Sequence, residues 1–254
     1  MLVNQTIEKL HTMRLTGIAG ELENQLKSSG SGSLCFEERL GLMVDQEWTY
    51  REDRRLARLQ REAKLRQNAS VEDIDWQSGR GLDRAQISKL AGCGWIKENH
   101  NVIVTGATGA GKTYLACALA NAALRQGLKT HYFRVPRLFE EIKIAKADGS
   151  YLKLMARIAK SRLLILDDWG LAALTDFERQ ALLEILEDRH GSCATLVVSQ
   201  IPTEHWHEFI GNPTLADAIL DRLVHNAYKL NLKGGSMRKK LAELDTMPAT
   251  VRNS

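Results

Sequence analysis

Gly106, Ala107, Thr108, Gly109, Ala110, Gly111, Lys112 and Thr113 carry the most specific chemistry in the chain. They fit G-x-x-x-x-G-K-[ST], a spacing that lets a loop wrap phosphate groups. Glycines without a Cβ let the backbone close around an anion and enter left-handed dihedrals. The loop N–H groups and the N-terminus of the following helix present partial positive charge to that anion. Lys112 is spaced to reach β- and γ-phosphates, and the Thr113 hydroxyl to ligate Mg²⁺. The context is the one this chemistry needs: an apolar strand-like run (101–105) leads in, and a helix-like run (114–121) leads out.

A second group follows some 55 residues on, where the apolar run Leu163-Leu-Ile-Leu ends in Asp167-Asp168. Ligands of open parallel sheets bind at the carboxyl edge of the strands. Asp167 there can hold Mg²⁺, directly or through water, opposite Thr113, and Asp168 can orient and polarise an attacking water. A third strand, 195–199, ends at Ser199-Gln200. Gln200, or less favourably Ser199, is a partner for the γ-phosphate or that water. Arg222 closes the helical run that contains Asp217 and Asp221. An arginine so placed can enter a neighbouring subunit's nucleotide site and stabilise transferring phosphoryl charge, or it can simply pair with a nearby acid. Arg238 offers a further phosphate contact or belongs to a solvated basic tail. His205-Trp-His207 has an H-x-H spacing without further ligands, which reads as surface or packing histidine. Neither H-E-x-x-H nor G-x-S-x-G occurs.

The elements that must position these groups are legible as periodicities. Strand candidates are 102–105, 130–135, 163–167, 195–199 and 228–232. Helix candidates are 112–126, 136–147, 150–160, 175–190, 203–209 and 214–224, and Thr175-x-x-Glu178 is a capping box. Such alternation means a five-stranded parallel sheet flanked by helices, an α/β fold. Ahead of it, residues 1–27 and 36–67 have helical spacing around a Ser/Gly break at 28–33. In the second of these, Leu56, Leu59 and Ala63 form one stripe, with Arg51, Arg54, Arg55, Arg58 and Arg61 on the far side. The expected division is an all-helical domain, 1–70, and a nucleotide-binding domain, 71–254. A helix over 84–93 and the Trp95-Ile96 pair bridge them.

Net charge is only +4, but it is unevenly spread. Residues 51–66 hold seven basic side chains against three acidic, and residues 222–254 seven against two, which points to anionic partners. The four cysteines are scattered without a C-x-x-C, so they read as reduced thiols. No window approaches ~18 apolar residues and no cleavable leader is evident, so the expectation is a soluble, cytoplasmic protein without membrane contact.

From about residue 5 to 240 the chain resembles the IstB-like transposition helper ATPases, relatives of DnaC-type helicase loaders in the AAA+ superfamily. The resemblance rests on Gly106 to Thr113 together with Leu166-Asp-Asp-Trp-Gly170, Ser199-Gln-Ile-Pro202, Asp217-Ala-Ile-Leu-Asp-Arg-Leu-Val-His225 and Gly235-Ser-Met-Arg238. It implies ATP and Mg²⁺ as ligands and ATP hydrolysis as activity. Walker A falls on Gly106 to Thr113, Walker B on Asp167 and Asp168, sensor 1 on Gln200, a trans-acting finger on Arg222 and a sensor 2 candidate on Arg238. It implies assembly of ATP-bound copies on double-stranded DNA, distortion of that DNA, and pairing with the transposase of the same insertion element. The region 148–160 resembles the extra helix of initiators and loaders that lies along nucleic acid. Asp168 departs from the Glu of most AAA+ members, and about 22 residues after the last strand leave the C-terminal lid reduced or absent. A replicative helicase loader favouring single strands, a nucleotide-dependent interaction module and a small-molecule kinase are the competing readings. The last leaves Arg222 and the basic helices without a role.

Overall fold

The computed structural model describes residues 2–28, 34–76 and 81–235. Arg238 and the rest of 236–254, where any lid would lie, are outside the described residues, as are the Ser/Gly residues 29–33. The chain divides into two compact units, Met1–Leu59 and Gln60–Ser254.

The first unit is helical. The helical spacing of residues 1–27 is realised as two helices, α1 (Leu2–Thr12) and α2 (Thr16–Lys27), because Arg14 takes a left-handed φ of 60° between them. Helix α3 (Phe36–Ala63) runs out of this unit and ends four residues short of the expected stop. Glu47 of α3 is buried, and its carboxylate accepts the N–H groups of Gly17 (2.8 Å) and Ile18 (3.3 Å) in the first turn of α2. A carboxylate there meets the positive end of the helix and satisfies donors that have no intrahelical partner. Gly17 is required by the crossing, since a Cβ would lie 2.5 Å from the Glu47 Cα.

The second unit begins with residues 60–76, whose Ala69 and Ile74 are buried, followed by α4 (Arg84–Ala91) and a short α5 (Gly94–Lys97) that periodicity does not announce. Then come β1 (Asn101–Gly106), α6 (Lys112–Arg125), β2 (Thr130–Arg134), α7 (Val135–Ala147), α8 (Tyr151–Ala159), β3 (Leu163–Trp169), α9 (Asp176–Arg189) and β4 (Ala194–Ser199). A 3-10 turn (Thr203–His205), α10 (Trp206–Ile210), α11 (Pro213–Val224) and β5 (Ala227–Leu232) complete it. The expected helix at 203–209 is thus a 3-10 turn running into one helical turn. The capping box forms as its spacing predicts: Thr175 N–H donates to Glu178 at 2.9 Å and Glu178 N–H to the Thr175 hydroxyl.

The five strands are all parallel, in the order β2-β3-β4-β1-β5. Strand side chains alternate between faces. Val102, Val104, Ile165 and Leu196 pack towards α6 and α4, while Ile103, Leu164, Leu166 and Val197 pack towards α7 to α11. Alanines 116, 118, 120 and 123 of α6 are fully buried, and their small volume brings that helix close to the sheet. Trp169 and Trp206 pack against each other in the opposite layer, ring centroids 5.1 Å apart and planes tilted by 41°, so these tryptophans are core anchors. No helix among the described residues is long and apolar enough to cross a membrane.

His131 of β2 is buried, with Nδ1 3.1 Å from the Ser161 hydroxyl. Burial, reinforced by Lys129, Arg157 and Arg189, brings its pKa down from 6.5 to about 4. The unfolded chain therefore binds more protons than the folded one between those values, and stability falls as pH drops through that window, by at most about 3 kcal/mol. Melting temperatures measured from pH 7 to 4.5 are expected to decline less steeply for His131→Leu than for the wild type. Equal slopes would remove this histidine from the acid response.

Candidate functional site

The carboxyl ends of β1, β2, β3 and β4 converge on one cavity of about 630 Å³, a size common for small-molecule sites. Thr108, Gly109, Gly111, Lys112 and Thr113 form one wall, Asp167, Asp168 and Gln200 another. The glycines adopt the dihedrals their type permits: φ is 84° at Gly109 and 92° at Gly111, the residue preceding α6. No side chain caps α6, so its first N–H groups face outward as an anion would use them. Gly106 (φ 143°) is needed for a different reason: a Cβ there would stand 2.3 Å from the Leu232 carbonyl oxygen of β5.

Lys112 is largely buried and its Nζ donates to the carbonyls of Gly106 and Ala107, both at 2.8 Å. Its ammonium is thereby folded over the mouth of its own loop, beside the position phosphates would take. The Thr113 hydroxyl donates to Asp167 Oδ2 at 2.8 Å, and the Tyr132 hydroxyl to the same oxygen at 2.6 Å. Burial first, and then this bond to Asp167, hold the Tyr132 hydroxyl far above its ordinary value, so it stays a donor. Thr113 and Asp167 together present hard oxygen ligands to one point. Among the described residues no group of three acidic, histidine or cysteine side chains could cage a metal. That donor set fits Mg²⁺, which takes few protein oxygens and fills its octahedron with phosphate and water.

Adjacent residues of a regular strand point to opposite faces. Asp167 and Asp168 nevertheless both line the cavity, because β3 carries a bulge. Leu166 pairs with Val197, but the next pair is Trp169 with Ser199, which leaves one extra residue on β3. Asp168 takes the left-handed φ of 60° that the bulge requires, and its N–H donates to Asp167 Oδ1 at 2.7 Å. Strain of this kind in a non-glycine residue concentrates at functional sites.

Gln200 reaches the loop directly, accepting the Thr108 hydroxyl at 2.7 Å. Ser199 does not compete for this role: its hydroxyl bonds the Trp169 and Ile201 carbonyls at 3.0 Å and closes the turn. Three residues that contact the two carboxylates escaped sequence reading. Arg134, at the end of β2, pairs with Asp168. Tyr132 is two residues before it. Arg66 stands 3.8 Å from Asp167 and 3.7 Å from Asp168. The signal for β2 was the strand's carboxyl end, but that it neighbours β3 is a fact of strand order alone. Arg66 carries no positional signal in the sequence.

Arg222 sits at the other end of the sheet. Asn101, the first residue of β1, donates its amide to the Arg222 carbonyl at 2.9 Å. Gly106 is five residues further along β1, roughly 16 Å at ~3.3 Å per residue. The guanidinium bonds the Ala218 carbonyl (2.7 Å) and Glu187 of α9 (2.5 Å). It therefore points away from its own phosphate loop. Arg51, Arg54, Arg55, Arg58 and Arg61 are all exposed on α3, with Arg51 paired to Glu47, Arg55 to Glu52, and Arg54 over the Tyr50 ring.

Residues 8–244 match the model of the IstB-like ATP binding protein family. The chain is 49% identical over 239 residues to the insertion sequence ATP-binding protein y4pL of Sinorhizobium fredii, covering 94% of this chain and 98% of that one. It is 48% identical over 204 residues to the ATP-binding protein of insertion sequence IS1162 from Pseudomonas fluorescens, covering 80% and 88%. Among solved structures it is similar to the DnaC helicase loader (20% identity, 67% of this chain, 100% of that one, TM-score 0.57). A second likeness is to AMPPCP-bound DnaA from Aquifex aeolicus (15% identity, 75% and 58%, TM-score 0.58). Both are likenesses of fold, that of AAA+ P-loop NTPases.

Proposed function

The chain belongs to the family of IstB-like ATP binding proteins, and from that premise we propose that it is an ATP-hydrolysing helper of transposition. In this reading, ATP-bound copies assemble on double-stranded DNA, deform it, and recruit or activate the transposase of the same insertion element, with hydrolysis as the switch. The observation that carries it is the convergence of the loop 106–113, Asp167, Asp168 and Gln200 on one cavity, in a chain whose relatives are insertion sequence ATP-binding proteins.

Each residue has a defined task. The loop N–H groups and Lys112 bind and orient the phosphates. Thr113 and Asp167 would hold Mg²⁺, which would supply charge neutralisation for the phosphates. Asp168 polarises the attacking water and Gln200 positions it. Arg222 of a neighbouring copy stabilises charge on the transferred group. The α3 arginines grip backbone phosphates, which makes DNA affinity salt-dependent and largely indifferent to sequence.

Fluorescence anisotropy with labelled duplex and a non-hydrolysable ATP analogue, across a salt series, tests the DNA claim. Each phosphate contact contributes about 0.9 to the slope of log affinity against log salt. Replacing Arg54, Arg58 and Arg61 together by alanine is expected to reduce that slope by roughly 2 to 3. A stronger affinity for single strands than for duplex would move the reading to a helicase loader. Absence of affinity for either would overturn it.

A further inference from the structure

Arg66 has no task in the chemistry just described, yet its guanidinium lies 3.8 Å from Asp167 Oδ2 and 3.7 Å from Asp168 Oδ2. Those carboxylates are almost completely shielded from solvent at Asp167 and mostly so at Asp168. Asp167 Oδ2 is also the oxygen that receives Thr113, so the cation is directed at the atoms that would hold a divalent ion. A guanidinium held there occupies the carboxylate oxygens that a divalent ion would use and repels that ion, so the two compete for the same ligands.

The backbone around Arg66 explains how its displacement can be felt elsewhere. Just beyond it, residues 69–72 are clipped onto α6: the Asn121 amide donates to the Ala69 carbonyl (3.1 Å), the Tyr114 hydroxyl to the Ser70 carbonyl (3.3 Å), and Arg125 pairs with Glu72 (3.0 Å). On its other side α3 ends at Ala63, and Lys64 takes a left-handed φ of 52°. Arg66 therefore lies on the short turn between a clamped strap and the end of the arginine-bearing helix.

We propose that Arg66 competes with the divalent metal for Asp167 and Asp168, so that metal–nucleotide loading expels it and shifts the turn that ends α3. This inference rests on the nucleotide reading of the cavity and adds a regulation of that site. It gives the arginine helix a direct report on whether the phosphate site is charged.

The test is Mn²⁺ binding to the full chain carrying one equivalent of ADP, with free Mn²⁺ read by electron paramagnetic resonance. Arg66→Gln is expected to bind Mn²⁺ about 3- to 10-fold more tightly than the wild type, the range for losing a partly exposed competing cation. Arg66→Lys, which keeps the charge, is expected to stay near the wild type. A purely structural role would move ADP affinity in EDTA and the melting temperature, which should remain unchanged in both variants. In the wild type, adding Mg²⁺ to the ADP-loaded chain should speed hydrogen exchange of the amides at 64–67. Equal or weaker Mn²⁺ binding by Arg66→Gln, with ADP still bound, overturns the inference and leaves the nucleotide reading standing. A wild type that binds no ADP sinks both.

Discussion

Lys112→Ala is expected to lose ATP binding by about 100-fold or more while the fold survives. The ammonium is the one side-chain cation that the loop itself supplies at the β- and γ-phosphate positions, and a hydrogen bond to a charged group contributes about 1.5–3 kcal/mol. Two such contacts, at 1.4 kcal/mol per tenfold, give the stated loss. Stability should change little, because the carbonyls that Lys112 now bonds, Gly106 and Ala107, are half-buried and exposed and can take water instead. Isothermal titration with Mg²⁺–ATP, beside a thermal melt, separates the two quantities. Undiminished affinity in a folded Lys112→Ala would count against the whole site.

Arg222→Ala is expected to keep ATP affinity near that of the wild type and to lose DNA-stimulated hydrolysis by a factor of about 10³ or more, the scale of an arginine finger. To serve as a finger Arg222 would have to act in trans, since it sits at the amino edge of the sheet and the phosphate loop at the carboxyl edge. Its pairing with Glu187 is partly exposed and worth at most about 1 kcal/mol, so release towards a phosphate costs little. Arg222→Lys should fail nearly as badly, because a point charge on a flexible stem does not reproduce the planar fork. Mixing provides the decisive arm. Arg222→Ala copies have intact loops, and Lys112→Ala copies have intact fingers, so the two inactive proteins together should recover part of the phosphate release. No recovery in co-assembled mixtures would place Arg222 outside the chemistry.

The Lys112 and Arg222 predictions rest on residues visible in the linear chain, whereas the Arg66 prediction does not. The distinction has a physical origin. A phosphate loop is a local object: eight consecutive residues between a strand and a helix contain its glycines, its cation and its metal hydroxyl, so spacing alone identifies it. The same holds for the five strands, the Thr175–Glu178 cap and the arginine side of α3, each read from a period or a short pattern. Helix ends and breaks were less legible, because the left-handed turns at Arg14 and Lys64 use residue types that do not advertise one.

Residue identity and spacing were thus enough for the parallel α/β fold, the identity of the phosphate-binding loop and the presence of two acids at a strand end. Tertiary structure alone decided where those acids point. Strand alternation would have sent Asp167 and Asp168 to opposite faces, and only the pairing of β3 with β4, one residue out of step, turns both into the cavity. The order of the strands brought Tyr132 and Arg134 of β2 to β3, and chain folding carried Arg66 across to the same carboxylates. Such neighbours are joined through space by hydrogen bonds and Coulomb attraction between residues far apart in the chain, and no local pattern encodes them.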